Sequence, residues 1–178
     1  MSIAAPQSAR SDRRLRQSER LAVGVVLERR HIAHIWQEYV WHPVAVLPSA
    51  PAVAEPRLLR QGEGWDWYHM ATLELELFPR ETDGYRHNLL QTRPLVYVLW
   101  RHPQEDPEGW PVPFHVTVCP YEAQDYLDGG DVVVEGVAMP ETVAQWLQDF
   151  ISRHPVDEPF EKRRRKAGRA VAEGDDFG

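Results

Sequence analysis

The sequence predicts an α+β fold: a bent antiparallel sheet or partial barrel of about five to seven strands, with two or three helices packed on it. Three observations lead there. Apolar residues recur with period two through most of the chain, most clearly in TLELELF (72–78). Strands arrive in runs, without the strand–helix alternation of a parallel doubly wound sheet. The one strong 3.6-residue period, at Val143, Trp146, Leu147, Phe150 and Ile151, comes near the end.

Taken in order, AVGVVLE (22–28) and VWHPVAVL (40–47) supply two strands. Pro43 lacks a ladder donor, so the second belongs at an edge or a bulge. In 65–78, Leu73, Leu75 and Leu77 share one face against Glu74 and Glu76, and the same parity carried backward adds Trp65, Trp67, His69 and Ala71. Fourteen residues exceed the usual strand, which places a bulge or bend over 69–71. A weaker helix follows over 82–91, interrupted by Gly84 and stopped by Pro94.

LVYVLW (95–100) is apolar on both faces, as a central strand covered from two sides would be. FHVTVC (114–119) sets Phe114, Val116 and Val118 opposite His115, Thr117 and Cys119. Pro120 then suits a first helical position, Glu122 the positive end of the helix dipole, and Ala123, Tyr126 and Leu127 an apolar stripe ended by Gly129-Gly130. VVVEGV (132–137) adds a short strand, and Pro140 opens the final helix.

The 178 residues amount to one domain, and a single cysteine excludes an internal disulfide. No apolar tract of about 18 residues exists to span a bilayer, and the N-terminus lacks the apolar core of a secretory signal. A cytoplasmic chain is expected. The net charge of −7 is unevenly spread. Residues 1–20 carry five arginines against two acids, and 161–178 carry six basic residues against four acids, leaving nine basic and 21 acidic residues in 21–160. Both tails are expected to be disordered and the body to form one domain. An acidic body disfavours nucleic acid as a partner.

Cys119 precedes a helix N-terminus, where a thiol pKa can fall; this keeps open an enzyme or sulfur carrier acting through it. His115 is four strand residues away, about 13 Å, too far to serve as its base. His31 and His34, with His42 and Glu38 nearby, lack the further thiolate or carboxylate ligands of common metal sites, so solvated loop histidines are expected and no metal or cofactor. Trp65 and Trp67 share the parity of the leucine face and are expected in the core; with His69 they would line the pocket of a small-ligand-binding barrel. Trp36 and Trp110 lie among polar residues and proline and are expected at the surface. The run EKRRRK (161–166), directly after Pro159-Phe160, suits docking on an acidic partner or on this domain's own acidic face.

Taken together, GVVLERR, YVWHPVAVLP, YHMATLELELFPRETDGYRHNL, PLVYVLWR, VTVCPYEAQDYLDGGDVVVEGVAMPE and PFEKRRRK resemble the proteobacterial family called domain of unknown function 3305, from about residue 21 to 166. The most specific block is PYEAQDYLDGGDVVVEGVAMPE. The resemblance implies genes that lie near molybdenum-dependent formate dehydrogenases and small iron–sulfur proteins. It implies a non-enzymatic accessory role on a dehydrogenase subunit or maturation factor, with no catalytic residue to carry over. In that family the position of Cys119 usually holds a small residue, which implies a structural cysteine. The interface residues expected here are Trp110, Tyr121, Glu122, Asp125 and Tyr126, with Lys162, Arg163, Arg164, Arg165 and Lys166.

Overall fold

A computed structural model describes residues 17–106 and 109–155. Strands β1 (Glu19–His31), β2 (Tyr39–Pro48), β3 (Arg57–Gly62) and β4 (Trp65–Leu77) form an antiparallel sheet in the order β2-β1-β4-β3. Strands β5 (Leu95–Arg101), β6 (Val112–Thr117) and β7 (Val133–Ala138) form a second, in the order β6-β5-β7. A 3₁₀ turn (Pro79–Glu81) leads into α1 (Thr82–Leu89); α2 (Pro120–Leu127) follows β6 and α3 (Glu141–Arg153) follows β7. The described residues thus hold the expected α+β architecture with seven strands and three α-helices, and the sheets face each other without closing into a barrel. β1 begins at Glu19, so Glu19 and Arg20 belong to the sheet, two residues before the expected start of the body.

The long strand carries the expected bulge. Along β1, Val25 pairs with Ala71 but Val26 pairs with His69, which leaves Met70 as the extra residue of β4. Before that point in β4 every side chain changes face. Leu73, Leu75 and Leu77 therefore stay inside with Val23 and Leu21, and Tyr68 joins them opposite Leu27.

Trp65 and Trp67, expected in the core, sit instead on the outer face. There Trp67 Nε1 donates to Glu28 Oε2 at 2.9 Å and the two indoles lie 5.6 Å apart. A strict period of two carried through the bulge is what misplaced them. β2 has its own irregularity at Val44, beside Pro43, on the edge where that proline was expected. β3, all six residues of which are exposed, was not foreseen from the sequence, because an edge strand with no buried face shows no alternation.

The core draws on both sheets: Val23, Val25, Leu27, Leu75 and Leu77 from the first meet Val96, Val98, Val116 and Val137 from the second. α3 closes one end with Val143, Leu147 and Phe150 fully buried, as its period foretold. It is fastened to the start of β1, where Glu19 accepts hydrogen bonds from Trp146 Nε1 (2.9 Å) and from the Arg153 guanidinium. On α2 only Ala123 of the expected stripe is buried; Tyr126 and Leu127 remain exposed, since two turns of helix at the sheet end present only one residue inward.

On the outer face of the four-stranded sheet, residues that follow β2 cross over β1 and β4. His69 Nε2–H donates to Thr72 Oγ1 (2.9 Å), whose own hydroxyl donates to the Pro51 carbonyl (2.7 Å). Beneath this strap lies Gly24, where a Cβ would come within 2.7 Å of His69 Nε2 and 2.9 Å of Ala50 Cβ. A strand glycine at that place follows from the close approach.

Candidate functional site

The starts of α1 and α2 lie side by side, and the residue that brings them together is Asn88. Its side-chain amide donates to the carbonyls of Leu95 and Val118, both at 2.8 Å, and its oxygen accepts the Leu95 N–H at 2.9 Å. One buried amide thereby ties α1 to the beginning of β5 and the end of β6. Contact is close enough that a Cβ on Gly84 would lie 2.7 Å from Cys119 Sγ. Glycine inside a helix costs about 1 kcal/mol relative to alanine, and the approach of the sulfur is what requires it here.

Between the two helix starts is an open cleft of about 330 Å³, floored by Gly84 and Cys119 and lined by Glu81, Tyr121, Glu122 and Asp125, with Arg80 and Asp83 at its edge. Glu122 turns inward: His115 Nε2–H donates to one of its oxygens at 2.8 Å, and Thr117 Oγ1–H to the other at 2.5 Å. Burial works to raise its pKa, but these two donors outweigh burial and hold the carboxyl below the usual range. Glu81 is pushed the other way, upward, by burial and then by the charge of Glu122. It accepts the Tyr85 hydroxyl at 3.2 Å, while that hydroxyl accepts the Phe78 N–H at 2.9 Å.

Cys119 is 3% exposed, and burial pushes its thiol above the ordinary value despite the backbone N–H groups of Glu122 and Tyr121, which favour the thiolate. A nucleophilic cysteine needs the opposite shift. His115 is engaged by Glu122, and the carboxylates nearest the sulfur, Glu81 and Glu122, raise its pKa further. The chemistry of this arrangement is that of a wedge: a small apolar sulfur fills the space opposite Gly84.

Of the expected interface residues, α2 gathers Tyr121, Glu122, Asp125 and Tyr126. Tyr121 is 51% exposed and lies over His87 (5.9 Å between rings), while Tyr126 sits 5.7 Å from the His115 ring. Trp110 lies at the other end of β6, a strand of about 20 Å. There it packs on Trp41 (5.0 Å) and Tyr68 (4.7 Å), with the Arg29 guanidinium 5.5 Å from its ring. Arg29 also lies over Tyr39 (4.6 Å) and pairs with Asp66 (2.7 Å). Lys162, Arg163, Arg164, Arg165 and Lys166 fall outside the described residues.

The histidines disperse. His31 meets the Tyr39 ring edge-on, His34 Nδ1 accepts the Trp36 N–H, and His42 bonds to Glu135 across the two sheets. Among the described residues no group of three His, Cys, Asp or Glu converges as a metal site would require. Trp36 is 80% exposed at the β1–β2 turn, as its polar neighbours foretold. Glu81, Tyr85 and Asn88 escaped the sequence reading altogether. The signal that would have found Asn88 is its place one helical turn after Gly84, on the side that faces the sheet.

A search of curated proteins and one of solved structures found no match. The profile of one family matches residues 22–164, a stretch that takes in every described strand and helix except the first three residues of β1, and by that match the chain belongs to the family described as protein of unknown function (DUF3305).

Proposed function

We propose that this chain is a non-enzymatic accessory protein that binds a protein component of a molybdenum-dependent formate dehydrogenase system and acts in its assembly or regulation. The observation that supports a binding role is the outward side of α2. Tyr121 is exposed there beside Asp125, with Tyr126 and Leu127 exposed on the flanks of the same helix, while the ionisable groups beneath are bonded to one another. Exposed tyrosine next to leucine with a polar rim is the composition of an interface anchor. The dehydrogenase as partner rests on the gene neighbourhood that the family resemblance implies.

A pull-down with the full-length chain from native cells tests this. Dehydrogenase subunits or maturation factors are expected in the eluate, and their recovery is expected to drop when Tyr121→Ala and Leu127→Ser are combined. An eluate that never contains them counts against the partner, and deletion of the gene without change in molybdenum-dependent formate oxidation would sink the role.

A further inference from the structure

The unpartnered side of α2 and the adjoining cleft carry a charge pattern that another part of this chain complements. Tyr121 and Leu127 are about half exposed, and Glu81, Asp83, Glu122 and Asp125 surround the cleft against one cation, Arg80, which lies 3.6 Å from Glu81, and the ring of His115 behind Glu122. The described chain stops at Pro155, immediately after α3. Two buried rings stand between that point and the cleft. The His154 ring is 4.5 Å from Phe150, Phe150 meets Tyr85 at 6.2 Å, and the Tyr85 hydroxyl donates to Glu81 at 3.2 Å.

Lys162 lies seven residues after Pro155, a reach of about 23–25 Å when extended, on a path that must pass around the buried Phe150 and Tyr85. The segment that follows, EKRRRK at 161–166, carries five cations against one acid, and Phe160 precedes it.

We propose that residues 160–166 of the same chain dock on the α1–α2 cleft, with the basic side chains at the carboxylates and Phe160 against the exposed Tyr121. The occupant is identified by opposite charge, by an apolar residue directly beside the basic run, and by the short tether that joins it to α3. Held by one short tether, the segment meets the cleft at a high effective concentration, so modest contacts suffice. The docked segment covers the surface assigned above to a partner, and a partner's basic segment would have to displace it. The proposal concerns the isolated chain and stands whether or not the dehydrogenase reading does.

Lys162 and Lys166 are the only lysines in the sequence, which makes the test direct. Purified full-length chain, mixed half unlabelled and half ¹⁵N-labelled, is treated with a zero-length carbodiimide cross-linker and mapped by mass spectrometry. Links from Lys162 or Lys166 to Glu81, Asp83, Glu122 or Asp125, within chains of one isotope, are expected. Links at Glu81 and Glu122 should fall about threefold or more when Asp83→Asn and Asp125→Asn are combined, or when salt is raised to 1 M. Mixed-isotope links would assign the cleft to a second copy. That result overturns the proposal, as do links mainly to Glu74, Glu76 or Glu141, a yield indifferent to both the charge removal and salt, or no links at all.

Discussion

At the helix end of the molecule Leu75, Leu77, Tyr85, Leu147 and Phe150 are fully buried, whereas at the opposite end the same inner sheet face runs out in Arg29, Trp41, Tyr68 and a Trp110 that is 41% exposed. One end is held by aliphatic burial and by polar groups such as Asn88 that have every partner inside the protein. The other is held by a guanidinium among aromatic rings and by one carboxylate, Asp66. The first arrangement excludes water and punishes any change of shape. Rings and a cation at a wet edge tolerate rearrangement and respond to salt. Rigidity is thus concentrated beneath the cleft, where Asn88 fastens α1 to the start of β5 and the end of β6.

If that contrast is right, mutations at the helix end should cost most. Asn88→Ala would strand the Leu95 N–H and two carbonyls in the interior, and Leu147→Ala would open a cavity under α3; each is expected to lower stability by about 3 kcal/mol in urea unfolding. A loss below about 1 kcal/mol for both would break the comparison.

Gly84→Ala comes next. Its new methyl meets Cys119 Sγ at 2.7 Å, so a loss of about 2 kcal/mol is expected, and Cys119→Ala should restore part of it. Additive losses in the double mutant would show that the sulfur is not what fills the space.

The outer strap gives a pH-dependent prediction. Burial holds the His69 pKa below its ordinary value, so above about pH 6.5 the ring is neutral in both folded and unfolded chains and contributes no pH dependence. As pH falls below that value the unfolded chain takes up a proton that the folded one refuses, and stability declines. Arg57, opposite His69 on β3, adds to the refusal. His69→Gln should remove that share of the decline as pH falls below about 6.5, seen as a shallower slope of unfolding free energy with pH. A slope unchanged from the parent chain would place the acid sensitivity elsewhere.

The smallest effect is expected at the open end. Trp110→Ala should cost about 1 kcal/mol or less, with the loss shrinking in 1 M salt as the Arg29 contacts weaken. A loss as large as that of Leu147→Ala would mean that the two ends are equally tight.

How much of this was legible beforehand can be argued residue by residue. The spacing of Val143, Leu147 and Phe150 announced both the last helix and its buried side, because a helix face repeats at a fixed angle whatever it packs against. The excess length of 65–78 announced the bulge, yet the consequence for Trp65 and Trp67 was lost, since parity restarts at a residue that only pairing with β1 identifies. Of the site, Tyr121, Asp125 and the exposed Trp110 were legible as surface residues. Glu81, Tyr85 and Asn88 were not, because each acts on a group four to thirty residues away that only the fold brings into reach.

By itself the sequence determined the periods, the punctuation by proline and glycine, the seat of each helix and the separation of basic ends from an acidic body. These are local quantities, set by backbone geometry and composition over a few residues. Only the tertiary structure decided that β3 completes a sheet, that Gly84 and Cys119 share one space, that Trp110 and α2 stand at opposite ends of β6, and that Glu122 faces His115. Those depend on which strands pair and in what register, and the free energy that selects a register is shared among many side chains distant in sequence, so no single stretch encodes it.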